Sequence, residues 1–236
     1  MTFAARRAEL LARVAAATEA AGRRPGSVRL LAASKTVPAD RLAAAVLDGQ
    51  TLLGENRAQE LRDKRAAFAE RQDLPPVEWH FIGPLQKNKV RNVVGEVALI
   101  HTVDSLELAQ EIGKRRRNLA ERGQDPGPVA ILVEVNIGGE ESKAGVAPAT
   151  VLDLCAALAA LPDVRLRGLM TIPPWAEDPE AAAPYFEAMS ALAREGRARG
   201  LPLVELSMGM SDDFEVAIRH GATLVRVGTA LFGDRL

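Results

Sequence analysis

LLAASK, Leu30 to Lys35, with Thr36, Val37 and Pro38 behind it, is the stretch whose reading decides the fold. Four apolar residues and a serine run straight into one lysine, and the proline then permits a helix to start but not a strand to continue. The pattern is that of a buried strand whose only charge sits at its carboxyl end, the edge where parallel sheets, open or closed, keep their chemistry. A lysine in that place forms a Schiff base, balances a phosphate, or lies on the surface with its stem across apolar neighbours. From this segment alone all three readings stand.

The same strand-then-helix order recurs outward from it. An amphipathic helix over residues 3–21 precedes the first strand (28–34), and a helix over 39–48 follows, ending at Gly49. TLLGE (51–55) leads into a polar helix reaching about residue 71, with Asn56 as its expected cap. VEWHFIG (77–83) precedes a short helix with a basic face in PLQKNKVRNVV, and VALIHTV (97–103) precedes a long helix to about 122, capped by Asp104 or Ser105. VAILVEV (129–135) is the most apolar strand and leads through a polar loop to a helix over 148–161. VRLRGLM (164–170), a charged helix over 178–199, LVEL (203–206), a helix begun by Ser211, Asp212 and Asp213, and TLVRV (223–227) complete the count.

Eight strand–helix units after one extra leading helix, in 236 residues, predict a single (β/α)8 TIM barrel occupying residues 1–236. A doubly wound open sheet is the alternative, but LAASKTVP lacks the Gly-rich first turn of a dinucleotide site. A formal net charge of -1 supplies no excess of cations for a nucleic-acid backbone. The single cysteine, Cys155, excludes an internal disulfide and a cysteine-based zinc cluster, and LDLCAALAAL reads as the packing surface of a helix. MTFAARRAELLARV has no long apolar core, and no stretch reaches membrane-spanning length, so the expected location is cytoplasmic. Nothing in the pattern demands a dimer, and a monomer is expected.

In such barrels the loops after strands seven and eight commonly bind phosphate. Here they offer Ser207 and Gly209, then Gly228 and Thr229, which provide close backbone approach and hydroxyl donors. Arg226 alternates with Leu224 inside the last strand, so it either pairs with an acid such as Glu205 or Glu134 or meets a polar group at the barrel mouth. Asn56, His80, Asn136 and Met170 are the other carboxyl-end residues, and the three histidines have no metal-triad spacing. An amine in partly desolvated surroundings condenses with a carbonyl. If the bound molecule carries both a carbonyl and a phosphate, the candidates are a sugar phosphate, as in an aldolase, or pyridoxal phosphate.

LAASKT (31–36), GENRAQE (54–60), WHFIGPLQKNK (79–89), HTVDS (101–105), VNIGGEESKAG (135–145), GLMTIPP (168–174) and SMGMSDDFEVAIRHGATLVRVGTALFG (207–233) carry a resemblance that runs from the first strand to the last. The sequence resembles the pyridoxal phosphate homeostasis protein family, single-domain relatives of the alanine racemase N-terminal barrel. That resemblance implies a PLP-binding barrel with pyridoxal 5'-phosphate (PLP) on Lys35 as a Schiff base, its phosphate held by Ser207, Gly209, Gly228 and Thr229. It implies that Arg226 faces the pyridine nitrogen, and that Asn56, Met170 and His80 line the pocket. Arg57 stands where the family commonly has tyrosine and Pro84 where it often has histidine, both at or beyond the pocket edge.

Two function classes follow. A carrier or regulator of intracellular PLP and amino-acid pools, with PLP-dependent enzymes as clients, needs binding and no turnover. An amino-acid racemase needs a second acid/base on the opposite face of the cofactor, which full racemases take from a tyrosine of an additional β domain. The residues after the eighth strand, 228–236, are too few for such a domain, and Tyr185, the sole tyrosine, falls in the helix after strand six. The carrier is therefore the expected reading. A racemase-like enzyme that draws its second base from a partner is the alternative.

Overall fold

In the computed structural model, which describes residues 1–140 and 143–233, the eight strands close into one parallel barrel in sequential order. They are β1 (Arg29–Ala33), β2 (Leu52–Glu55), β3 (Glu78–Phe81), β4 (Leu99–Val103), β5 (Val129–Glu134), β6 (Val164–Met170), β7 (Glu205–Ser207) and β8 (Leu224–Val227). The helices are α1 (Phe3–Ala20), α2 (Ala39–Leu47), α3 (Ala58–Ala69), α4 (Leu106–Ala120), α5 (Val151–Ala159), α6 (Ala183–Ala198), α7 (Phe214–Arg219) and α8 (Thr229–Phe232). The barrel expected from the sequence, with its extra leading helix, is the one found.

Period-two alternation divides the apolar residues into two cores. Leu30, Ala32, Leu53, Ile100 and Val225 face the helices and join one large buried cluster. Their neighbours Leu31, Leu52, Leu99, Leu132, Met170 and Leu224 form a smaller cluster inside the barrel. Along β6 the helix-facing residues run Val164, Leu166 and then Leu169, a step of three that marks the register shift against β5. One extra residue there turns Met170 inward at the barrel's carboxyl end. The seam is β1 on β8, with Leu31 opposite Arg226 and Ala32 opposite Val227. Outside it, α1 lies against α7 and α8, and Arg13 grips Glu215 with two 2.9 Å hydrogen bonds.

Several boundaries differ from expectation for identifiable reasons. Asn56 does not cap α3: the N-cap position belongs to Arg57, with no side-chain hydrogen bond, and Asn56 stays at the strand end. Ser105 rather than Asp104 caps α4, accepting from the Leu108 amide. The basic segment after β3 is a 3-10 helix over Lys87–Asn92. The charged helix expected from residue 178 begins as a 3-10 turn, Pro179–Ala182, and restarts as α6 because Pro184 in its first turn has no N–H for a continuous ladder. β7 falls at Glu205–Ser207 rather than 203–206, and α7 begins at Phe214 rather than Ser211.

Gly168 is required by contact rather than by backbone angle. A Cβ on it would stand 1.8 Å from the Glu205 carbonyl oxygen on the paired strand. Neither backbone can yield without breaking the β6–β7 ladder, so Gly168→Ala is expected to destabilise the barrel by about 3 kcal/mol or more, read from urea unfolding.

Candidate functional site

The turn after β1 and the residues after β8 share one cavity. Ala33, Lys35, Thr36, Arg41, Gly228 and Thr229 are among its lining residues, and its volume is about 340 Å³. Lys35 is exposed, and its amine has no hydrogen-bond or ion-pair partner among the described residues. The amides of Gly209, Gly228 and Thr229 likewise donate no hydrogen bond among those residues. Gly209 has φ +92, and a Cβ there would meet Ala217 Cβ at 2.6 Å, so only glycine lets the loop after β7 lie this close to α7.

Asn56, Met170, Ser207, Gly209 and Arg226 are not in that lining. Asn56 follows β2, packed against Gly83, and its Oδ1 is buried without a hydrogen-bond partner among the described residues. Met170 is buried in the inner cluster. Gly209 accepts from the Arg226 amide, so the loop after β7 is fastened to β8. Of the two alternatives for Arg226, the pairing with Glu205 or Glu134 is not the one found. Its guanidinium donates from Nη1 to Ser207 O at 2.7 Å and Oγ at 2.6 Å, and from Nη2 to Thr171 O at 2.8 Å. Glu205 instead accepts from Thr223 Oγ1 and lies 3.7 Å from Arg167.

Ser207 needs a different role from the one expected of it. Its side chain is fully buried, and Oγ lies 2.9 Å from His101 Nδ1 as well as against Arg226. From there a polar thread runs through the barrel interior. His101 Nε2 lies 2.9 Å from His80 Nδ1, His80 Nε2 lies 2.8 Å from Glu78 Oε1, and Glu78 meets Arg29 at 3.0 Å. Burial keeps both imidazoles neutral, each with one donor and one acceptor, so the carboxylate end, which only accepts, fixes the direction of the thread. Ser207 therefore gives its one O–H to His101, which donates from Nε2 to His80, which donates from Nε2 to Glu78. Both rings are neutral, in keeping with burial that lowers His80 and lowers His101 well below the ordinary imidazole value. The His80 hydrogen bond is the main cause that brings Glu78 down to about 2. His80 thus lies within the barrel, not in the pocket lining, and Ser207 has no proton left for an anion.

Glu134, at the carboxyl end of β5, was legible only as a partner for Arg226. Its carboxylate joins no ion pair or hydrogen bond among the described residues, and burial, followed by the charge of Asp104, pushes it up to about 7 against the pull of Arg226. Arg226 itself is lowered to about 10 by burial and remains a cation at neutral pH. Among the described residues no group of His, Cys, Asp and Glu is arranged to hold a metal, and no helix is long and apolar enough to cross a membrane.

The fold and site place the chain in the class of closed parallel α/β barrels, with a lysine unpaired among the described residues at the carboxyl end. The family described as alanine racemase, N-terminal domain, matches residues 7–236. The pyridoxal phosphate homeostasis protein of Aquifex aeolicus is 46% identical over 100% of this chain and 99% of its own length. That of Pseudomonas aeruginosa is 43% identical over 99% of this chain and 96% of its own. The structure of PipY from Synechococcus elongatus PCC7942 with PLP bound matches with a TM-score of 0.81 at 35% identity, covering 98% of this chain and 100% of that one. The chain belongs to the alanine racemase N-terminal domain family and, within it, to the pyridoxal phosphate homeostasis proteins.

Glu134 makes stability depend on pH in a stated direction. The folded protein holds its proton to about pH 7 while the unfolded chain releases it near 4.5, so stability falls as pH rises through that window. Glu134→Gln should leave the cofactor-free protein unchanged at pH 4 and stabilise it at pH 8, by up to roughly 3 kcal/mol from the size of the shift. Paired denaturation curves at the two pH values measure the difference.

Proposed function

We propose that this protein holds pyridoxal 5'-phosphate at the mouth of its barrel, covalently through Lys35, and serves to keep intracellular PLP and amino-acid pools in balance rather than to turn over a substrate. The observation that carries the reading is the single cavity shared by Lys35, Gly228 and Thr229. The residues present fit the group: open amides at Gly209, Gly228 and Thr229 suit a phosphate, and the orphaned Oδ1 of Asn56 is a buried acceptor awaiting a donor. When bound, the cofactor supplies an aldehyde that condenses with an amine and a ring that can take up electrons.

The chain's own residues divide the work. Lys35, two residues past the end of β1, presents an amine with no acid partner among the described residues. Gly209, Gly228 and Thr229 receive the anion by backbone N–H groups and one hydroxyl. Arg226 stands as a fixed cation on the barrel floor, held by Ser207 and Thr171, and Met170 packs inside the barrel below the mouth. A guanidinium set against a pyridine nitrogen opposes its protonation and so weakens electron uptake by the ring, which suits a carrier better than an enzyme of Cα–H chemistry. The reading extends to a cytoplasmic monomer that exchanges PLP with client enzymes. A net charge of -1 supports the absence of nucleic-acid binding.

Borohydride reduction of the PLP-loaded protein should fix the cofactor's mass on the peptide containing Lys35, and Lys35→Ala should carry none. Label on another lysine in the wild type would overturn the assignment. Thr229→Ala should retain PLP about tenfold less tightly if its hydroxyl contributes about 1.5 kcal/mol through a charge-assisted bond. An unchanged dissociation constant would move the phosphate away from the loop after β8.

A further inference from the structure

The turn that presents Lys35 is held from behind by a helix that takes no part in the cavity. Thr36 is the only non-glycine residue with positive φ among those described, at 65°, a backbone state that a β-branched residue adopts only under constraint. Its amide donates to Glu60 Oε2 at 2.8 Å. One helical turn further along α3, Lys64 Nζ lies 3.4 Å from the same oxygen and donates to the carbonyl of Ser34 at 2.7 Å. That carbonyl also accepts from the Val37 amide at 3.0 Å, closing the turn around Lys35. The residues on both sides of the lysine are therefore fastened to α3.

This bracing is buried and charged. The Lys64 side chain is 8% exposed and that of Glu55 not at all, and the two meet at 2.7 Å. Ser34 Oγ adds a 2.6 Å bond to the same Glu55 oxygen. Burial raises the Glu55 carboxyl while Lys64 and Ser34 lower it. An apolar set of similar volume would pack this site with no desolvation to offset, so an ion pair retained here points to geometry as its purpose. Ser34 and Glu55 lead out of β1 and β2, and Glu60 and Lys64 stand on α3, so the strand ends and the helix are tied at one place.

We propose that Glu60, Lys64 and Glu55 are positioning residues for Lys35: they hold Thr36 in its left-handed conformation and so aim the lysine amine into the cavity shared with Gly228 and Thr229. This rests on the reading that Lys35 carries the cofactor. Glu60 is the informative position, because removing its carboxylate releases the Thr36 amide and leaves the buried Lys64–Glu55 pair intact.

The test follows the rate at which borohydride-trappable PLP accumulates on the Lys35 peptide, with Thr36 amide exchange measured by NMR in cofactor-free protein. Glu60→Ala should slow attachment about tenfold and speed Thr36 exchange by at least as much. Glu60→Gln, which keeps an acceptor oxygen, should recover most of the rate. Adding Thr36→Gly to Glu60→Ala should also recover it, since glycine takes the left-handed conformation without a brace. A general packing defect would be relieved by neither change. Wild-type attachment in Glu60→Ala, or a loss that Thr36→Gly does not relieve, would overturn the proposal. If the wild type traps no PLP on Lys35, the functional reading fails instead, while Thr36 exchange still reports whether the brace exists.

Discussion

The structure depends on the pairing that closes the barrel, β8 laid parallel on β1 with Leu31 opposite Arg226. Residues nearly two hundred positions apart in sequence become neighbours through that ladder. It puts the turn after β1 beside Gly228 and Thr229, so the amine and the proposed phosphate cradle share a cavity rather than occupying opposite ends of an open sheet. Parallel strands cannot be joined by tight hairpins, so every unit contributes its carboxyl end to the same rim. The chemistry gathers there because topology leaves it no other common edge.

Inside the barrel the apolar inner cluster shares its space with a polar thread, and the energetics of that arrangement are stringent. A buried guanidinium without a carboxylate partner needs acceptors for its protons, and Arg226 has two carbonyls and one hydroxyl for three of its five N–H groups. The hydroxyl must then find an acceptor, which leads through His101 and His80 to Glu78, where the side chain is 42% exposed and water and Arg29 complete the balance. Each group is placed by the demand of its neighbour. This is why two imidazoles, commonly candidates for acid–base work, act here as neutral conductors of hydrogen-bond direction.

Much of this was legible in the sequence. Repeated apolar runs ending in polar residues gave the strands, and a lysine at the end of LLAAS pointed to the candidate site, where it lines a cavity. Gly209 and Gly228 were legible because a loop that must approach another backbone has few alternatives. Side-chain partnership was not legible. Ser207 read as a phosphate donor because its position is right, yet its single proton is taken by His101, 106 residues away in sequence. Glu205 and Glu134 were reasonable partners for Arg226 by charge, but backbone carbonyls took that role. The brace from α3 was hidden for a similar reason: Glu60 and Lys64 look like an ordinary helical surface pair until burial shows which side of the helix they occupy.

Because the thread runs in one direction from Ser207 to Glu78, its links depend on one another. Replacing either imidazole with an aliphatic side chain would strand a hydroxyl or a carboxylate on one side and an unanswered ring nitrogen on the other. The cost is greatest at the Ser207 end, which is fully buried, and least at Glu78, which keeps Arg29. The interior of this barrel thus behaves as one unit: five residues from four strands, distant in sequence, coupled by the hydrogen bonds they share.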